Sequence, residues 1–191
     1  MKFTLKSVIT LASATTLLVA ITSCSDDASV DEEVVASPSA TTQSSDAPSP
    51  ILAPIESSLV NAEAESISVS EVAEAPYVAF YYSAHWCPPC RLFTPKLVEF
   101  YKANGGGERF EIVFVSSDRS EADMYGYMKE EQMPWLAVNF SAIDSSNIKQ
   151  HAGAYIPWLV VFDRDGNQVA NTDYDNGVDP AKVLEQLGDM I

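Results

Sequence analysis

Two cysteines separated by two prolines stand where an apolar, β-forming run meets a helical one. The order is Tyr77–Tyr82, then Trp86-Cys87-Pro88-Pro89-Cys90, then Arg91 onward. The first run predicts a buried strand. From Pro88 to about Ala103, Leu92, Leu97, Val98 and Tyr101 recur as the inward side of a helix, and Pro95 predicts a kink in it. A CxxC pair at such a junction carries redox chemistry. Cys87 falls at a helix N-terminus, where unpaired N–H groups and the dipole favour an anion. Its thiol should therefore lose its proton readily and act as nucleophile. Cys90, three residues on, shares its face and can attack the mixed disulfide that Cys87 forms. Trp86 is expected at the rim. A zinc site normally joins two separated ligand pairs, and His85 and His151 do not make a second one, so no metal is expected. A purely structural bond is also disfavoured by so tight a spacing.

The rest of the second half alternates in type. Asn104-Gly105-Gly106-Gly107 ends the helix, and Phe110–Ser116 reads as a second buried strand. Ser120 caps a helix over 121–131, and 134–138 is a connection with short extended character. A short helix over 145–151 precedes a strand over 157–163 and a turn at Asp165-Gly166. A strand over 168–171 and a last helix with Asp179 as cap and Pro180 at its first position complete the chain. An α/β half joined to an antiparallel hairpin predicts an α/β domain whose mixed central sheet is flanked by helices on both faces. Asp163, Asp165, Gly166 and Asn167 hint at a calcium loop, but Tyr174 stands where its last carboxylate would be, so a hairpin turn is the expectation.

The first half is different. The net charge of the 191 residues is −16, yet residues 76–191 carry 16 acidic and 9 basic side chains. Residues 25–75 hold 11 acidic groups and no Lys or Arg. That balance argues against nucleic acid as a partner. Residues 2–21 combine Lys2 and Lys6 with an apolar run too short for a comfortable membrane span. Ile21-Thr22-Ser23-Cys24 resembles a bacterial lipobox. The resemblance implies a signal peptide over 1–23, lipid on Cys24, and a protein anchored to a bacterial membrane facing the periplasm. Ser25 after the cysteine leans to the outer membrane. Residues 24–75, rich in Ser, Ala, Pro and acid, are expected to be a disordered tether, and 76–191 the folded domain. Weak apolar stretches at 51–55 and 67–72 could dock on that domain, the second as a strand or short helix.

Phe80-Tyr81-Tyr82-Ser83-Ala84-His85-Trp86-Cys87-Pro88-Pro89-Cys90-Arg91, followed by Phe93-Thr94-Pro95, resembles tryparedoxin and nucleoredoxin domains. Phe110–Asp118, Met133-Pro134-Trp135 and Ile156-Pro157 continue the resemblance. It implies a thioredoxin fold and reversible dithiol–disulfide exchange with protein thiols and disulfides, with no cofactor beyond the Cys87–Cys90 pair. It also implies a cis Ile156–Pro157 bond opposite the cysteines, where backbone can pair with a substrate chain. Tyr81 lies where many thioredoxins bury a carboxylate, and His85 stands two residues before Cys87; both are candidates for tuning the thiolate. Trp158 follows the proline where a small residue is common. Neither Pro88 nor Pro89 offers an N–H to Cys87, which leaves that of Cys90. The thiol pKa is then nearer to thioredoxin's, about 7, than to DsbA's, about 3.5, which favours a reductase. A DsbA-like disulfide donor and a non-catalytic binding or sensing module are the alternatives. An exported reductase would draw electrons from a membrane thiol-electron donor, and a monomer is expected.

Overall fold

The computed structural model describes residues 49–191. They open with a 3-10 turn at Ala53–Ile55, the two-residue strands β1 (Leu59–Val60) and β2 (Ser66–Ile67), and the one-turn helix α1 (Ser70–Ala73). Then come β3 (Tyr77–Ser83), α2 (Pro88–Ala103), β4 (Glu111–Ser116), α3 (Glu121–Glu130) and β5 (Leu136–Val138). Turns at Phe140–Ala142 and Ile148–His151 lead to β6 (Trp158–Asp163), β7 (Gln168–Asn171) and α4 (Pro180–Met190).

The seven strands form one sheet in the order β2-β1-β5-β4-β3-β6-β7. β3, β4 and β5 are parallel; β6 runs antiparallel to β3, and β7 to β6. β3 and β4 lie centrally and are buried on both sides, which is why they read as unbroken apolar runs. The pleat sends Ala79 and Tyr81 to one face and Val78, Phe80 and Tyr82 to the other. Local signals set the helix starts. Ser120 Oγ accepts the Asp123 N–H at 3.1 Å, and Asp179 Oδ1 accepts the Lys182 N–H at 3.0 Å. α2 continues through Pro95.

The two faces are covered differently. α2, α3 and α4 all pack on the face of Ala79 and Tyr81, through residues such as Leu97, Met124 and Leu187. The opposite face is closed by Leu52, Ile55, Val69 and Val72 from the first described segment, with Ile143 and Ile148. Helical pieces thus lie on both faces, long on one and single turns on the other.

This corrects the expected boundary at residue 76. The folded unit includes the segment from Ser49: Leu59 pairs with Val138 and Val60 with Ala137, so β1 covers the edge of β5. The physical reason is local. A few apolar residues spread among acids bury on a face that would otherwise meet water, each worth about 1.5–3 kcal/mol. Asn61 Oδ1, accepting the N–H groups of Glu63 and Glu65, makes the turn into β2. The expected signal peptide over 1–23, the expected lipid site Cys24 and the expected tether as far as residue 48 lie outside the described residues.

Three smaller expectations also change. Leu92 is 74% exposed, and Phe93 takes the inward position. The helix over 145–151 is only the 3-10 turn Ile148–His151. The strand expected from 157 begins at Trp158. At the β6–β7 hairpin Gly166 has φ +84°, and the Asp163 carboxylate accepts from Asn167 N and Nδ2, so it is engaged within the turn.

Candidate functional site

β3 ends at Ser83, and the short loop that follows delivers Cys87 to the N-cap of α2. The prolines at the first two helical positions fit there because those N–H groups would be unpaired in any case. Cys87 and Cys90 are joined in a disulfide. Cys90 is fully buried, while Cys87 retains 4% exposure and is the outer sulfur of the pair. The Cys90 N–H donates to Cys87 Sγ at 3.3 Å, and Cys87 Sγ lies 3.7 Å from the Ile156 carbonyl oxygen. The Ile156–Pro157 peptide is cis. Ile156 also packs against Ala84 and the two cysteines. The elements therefore bring Cys87, Cys90, Ile156 and Pro157 together.

Trp86 is 51% exposed, with its ring N–H donated to the Ser117 carbonyl at 3.1 Å. A groove of about 570 Å³ on one side of it is bordered by His85, Arg91 and Leu92; another of about 380 Å³ is bordered by Lys149, Gly153 and Ile156. The loop bearing Trp86 is fastened to the end of β4. Asp118 Oδ1 accepts the His85 backbone N–H at 2.8 Å, and Oδ2 accepts the Ser116 hydroxyl at 2.8 Å. Burial pushes the Asp118 carboxyl up, and these two donors hold it back.

His85 and Tyr81 both have partners other than the Cys87 sulfur. The His85 ring meets Glu130 at 2.8 Å, and Glu130 also accepts from Arg91 at 2.9 Å. Tyr81 is buried in the core and its hydroxyl meets Thr94 Oγ1 at 2.7 Å. Burial, with the neighbouring Tyr127, drives the Tyr81 phenol far above its ordinary pKa. Trp158 packs over Gly153 and near Tyr174, with rings 6.2 Å apart. His151 packs against Phe80 and Phe162, and burial lowers its pKa.

Sequence reasoning missed Thr94 and Tyr127, which contact Tyr81 or one another beneath the cysteines, and Tyr174, whose hydroxyl donates to the Pro157 carbonyl at 2.6 Å. A polar Thr on the buried side of α2, four residues after Cys90, was the available signal for the first. Nothing local marks Tyr127 or Tyr174, because their partners are 33 and 17 residues away.

A thioredoxin-like family model matches residues 76–168. Nucleoredoxin of Danio rerio is 47% identical over 103 residues, which are 52% of this chain and 24% of the relative. Tryparedoxin of Trypanosoma brucei brucei is 39% identical over 97 residues, 50% of this chain and 66% of the relative. The chain spans about a quarter of the length of the vertebrate nucleoredoxins it matches. Among solved structures, thioredoxin from Wuchereria bancrofti superposes with a TM-score of 0.57 at 37% identity, covering 72% of this chain and 97% of that one. These relatives are eukaryotic proteins, and they overturn the expected location at a bacterial membrane facing the periplasm. The architecture agrees with that of these relatives. The chain belongs to the thioredoxin-like oxidoreductase family, and within it to the tryparedoxin and nucleoredoxin type.

Proposed function

We propose that the protein reduces and exchanges disulfides of protein substrates through Cys87 and Cys90. The carrying observation is the setting of Cys87: it caps α2, accepts the Cys90 N–H, and faces the Ile156 carbonyl beside cis Pro157. In the reduced protein the Cys87 thiolate attacks one sulfur of a substrate disulfide. A Cys87–substrate bond forms, and the other substrate sulfur leaves with the bonding pair. Cys90 then attacks Cys87 Sγ, closing the internal disulfide and expelling the second substrate sulfur. Two electrons pass to the substrate, and the protons lost by the cysteines reach the new thiols through water. The cysteine pair is the whole redox centre and needs no cofactor; a thiol reductant restores it.

Trp86, Ile156 and Pro157 are the substrate-contacting residues in this reading. His85 and Tyr81, held by Glu130 and Thr94, are not assigned to tuning the thiolate. The reducing direction is favoured because the prolines leave Cys87 with the single nearby donor of Cys90, so its thiolate is only moderately stabilised.

Insulin reduction by dithiothreitol should be accelerated by the wild-type protein and proceed at the uncatalysed rate with Cys87→Ser. Equal rates for the two would sink the proposal and leave a binding or sensing use of the fold. A reduction potential near about −120 mV rather than about −270 mV would reverse the direction to disulfide donation.

A further inference from the structure

Four buried hydroxyls lie beneath the cysteines: those of Tyr81, Ser83, Thr94 and Tyr127. Thr94 Oγ1 is 2.7 Å from the Tyr81 hydroxyl, 2.5 Å from that of Tyr127, and 3.0 Å from the Cys90 carbonyl oxygen. Tyr127 is in turn 3.2 Å from Ser83 Oγ. Each hydroxyl has one proton to give and two lone pairs. A carbonyl oxygen only accepts, so the Thr94 proton is committed to Cys90. Both phenols must then donate to Thr94, filling its lone pairs, and Ser83 must donate to Tyr127. A single arrangement satisfies all four bonds, and its donors converge on the backbone of Cys90.

Phenylalanine and valine would fill the same volume without four polar groups, each of which is costly to bury if left unpaired. The first turns of α2 also need bracing. Pro95 brings no N–H, so the Arg91 carbonyl lacks its usual helical donor. While the internal disulfide is closed, the S–S bond itself holds Cys90. In the mixed disulfide that restraint is gone.

We infer that Thr94, backed by Tyr81, Tyr127 and Ser83, is the positioning residue of the resolving step, holding Cys90 in line with Cys87 Sγ while Cys87 carries the substrate. This rests on the exchange reaction proposed above. In that step Cys90, its proton lost to water, bonds to Cys87 Sγ, and the substrate sulfur leaves with the electron pair. The quartet orients and takes up no proton: burial raises the pKa of both phenols, so they remain neutral donors.

A symmetrical aromatic disulfide whose thiol is coloured separates the two steps. Mixed with reduced protein in single turnover, it releases one thiol on attack by Cys87 and a second on attack by Cys90. Thr94→Val should leave the first phase within about twofold of wild type and slow the second about tenfold, as small misplacements of reacting atoms do. Thr94→Ser should restore the second phase. A second phase of wild-type speed in Thr94→Val, or one equally slow in Thr94→Ser, overturns the inference. Should Thr94→Val fail to fold, Tyr127→Phe decides: it removes one donor and keeps the ring, and an unchanged second phase again overturns it. Absence of a second release from wild type would instead strike the exchange reaction itself, and the inference would fall with it.

Discussion

Tyr81 and Tyr82 are neighbours in β3 and leave it on opposite faces, into two different kinds of interior. Tyr81 enters the face under α2, α3 and α4, where polar groups are buried in quantity. The Tyr81–Thr94–Tyr127–Ser83 set lies there, and at the start of β4 the Glu111 carboxylate accepts the Tyr101 hydroxyl of α2 at 2.9 Å. Tyr82 enters the face closed by the Ser49–Ala75 segment and the turns after β5, which is filled mainly by Val, Ile, Leu and Phe. The contrast has a physical basis. A buried hydrogen bond needs both partners fixed within a few tenths of an ångström, and long helices provide that rigidity. An irregular cover fills space well, because apolar contact is not directional.

If the irregular cover is as integral as the helices, it must be as costly to damage. Ile55 and Leu97 are both fully buried, one in the 3-10 turn of the cover and one in α2. Each cut back to Ala should cost about 2–5 kcal/mol, read as a fall in the urea midpoint. A cost below about 0.5 kcal/mol for Ile55→Ala, with Leu97→Ala in the usual range, would make the segment an appendage and break the comparison.

Polar burial under the helices predicts a pH dependence. Burial pushes the Glu111 carboxyl up to about 7, against the pull of the Ile112 N–H and the Tyr101 hydroxyl. Its ordinary value is 4.5, so the folded protein holds this proton more tightly than the unfolded chain. The resulting stabilisation, up to about 3 kcal/mol, is full below the unfolded value and is lost as pH rises through the folded one. Urea midpoints measured from pH 5 to 8 should therefore fall with rising pH by this contribution. Glu111→Gln should flatten it. A slope identical in the two proteins would show that the carboxylate is not confined as described.

The helix-covered face was largely legible in sequence, and the other was not. Ser120 and Asp179 announce their helices because a cap bonds to a backbone three residues away. The cysteine junction and Pro157 were readable from motif and resemblance. β1 and β2 are two residues each, too short for any period to register, and they lie in a segment whose average composition is that of a disordered chain. The pairing of β1 with β5 joins Leu59 to Val138, far apart in the chain. The same limit hid Tyr127: a residue that matters through one oxygen 33 positions from its partner leaves no local trace.

The smallest effect tests the contrast most directly. The Tyr82 hydroxyl donates to the Ile148 carbonyl at 2.6 Å, fastening one turn of the irregular cover. Removing it as Tyr82→Phe leaves one buried carbonyl without that donor and should cost about 1–2 kcal/mol in the urea midpoint. The bond serves the cover and not the cysteines, so both phases of thiol release should stay within about twofold of wild type. Tyr81→Phe removes the same atom one residue earlier at a similar cost in stability. It takes a donor from Thr94, however, and should slow the second phase, short of the tenfold loss expected from Thr94→Val. Two substitutions alike in chemistry, adjacent in sequence and similar in stability would then differ in the resolving step. Equal kinetics in the two would mean that the faces differ in how they are covered and not in what they do.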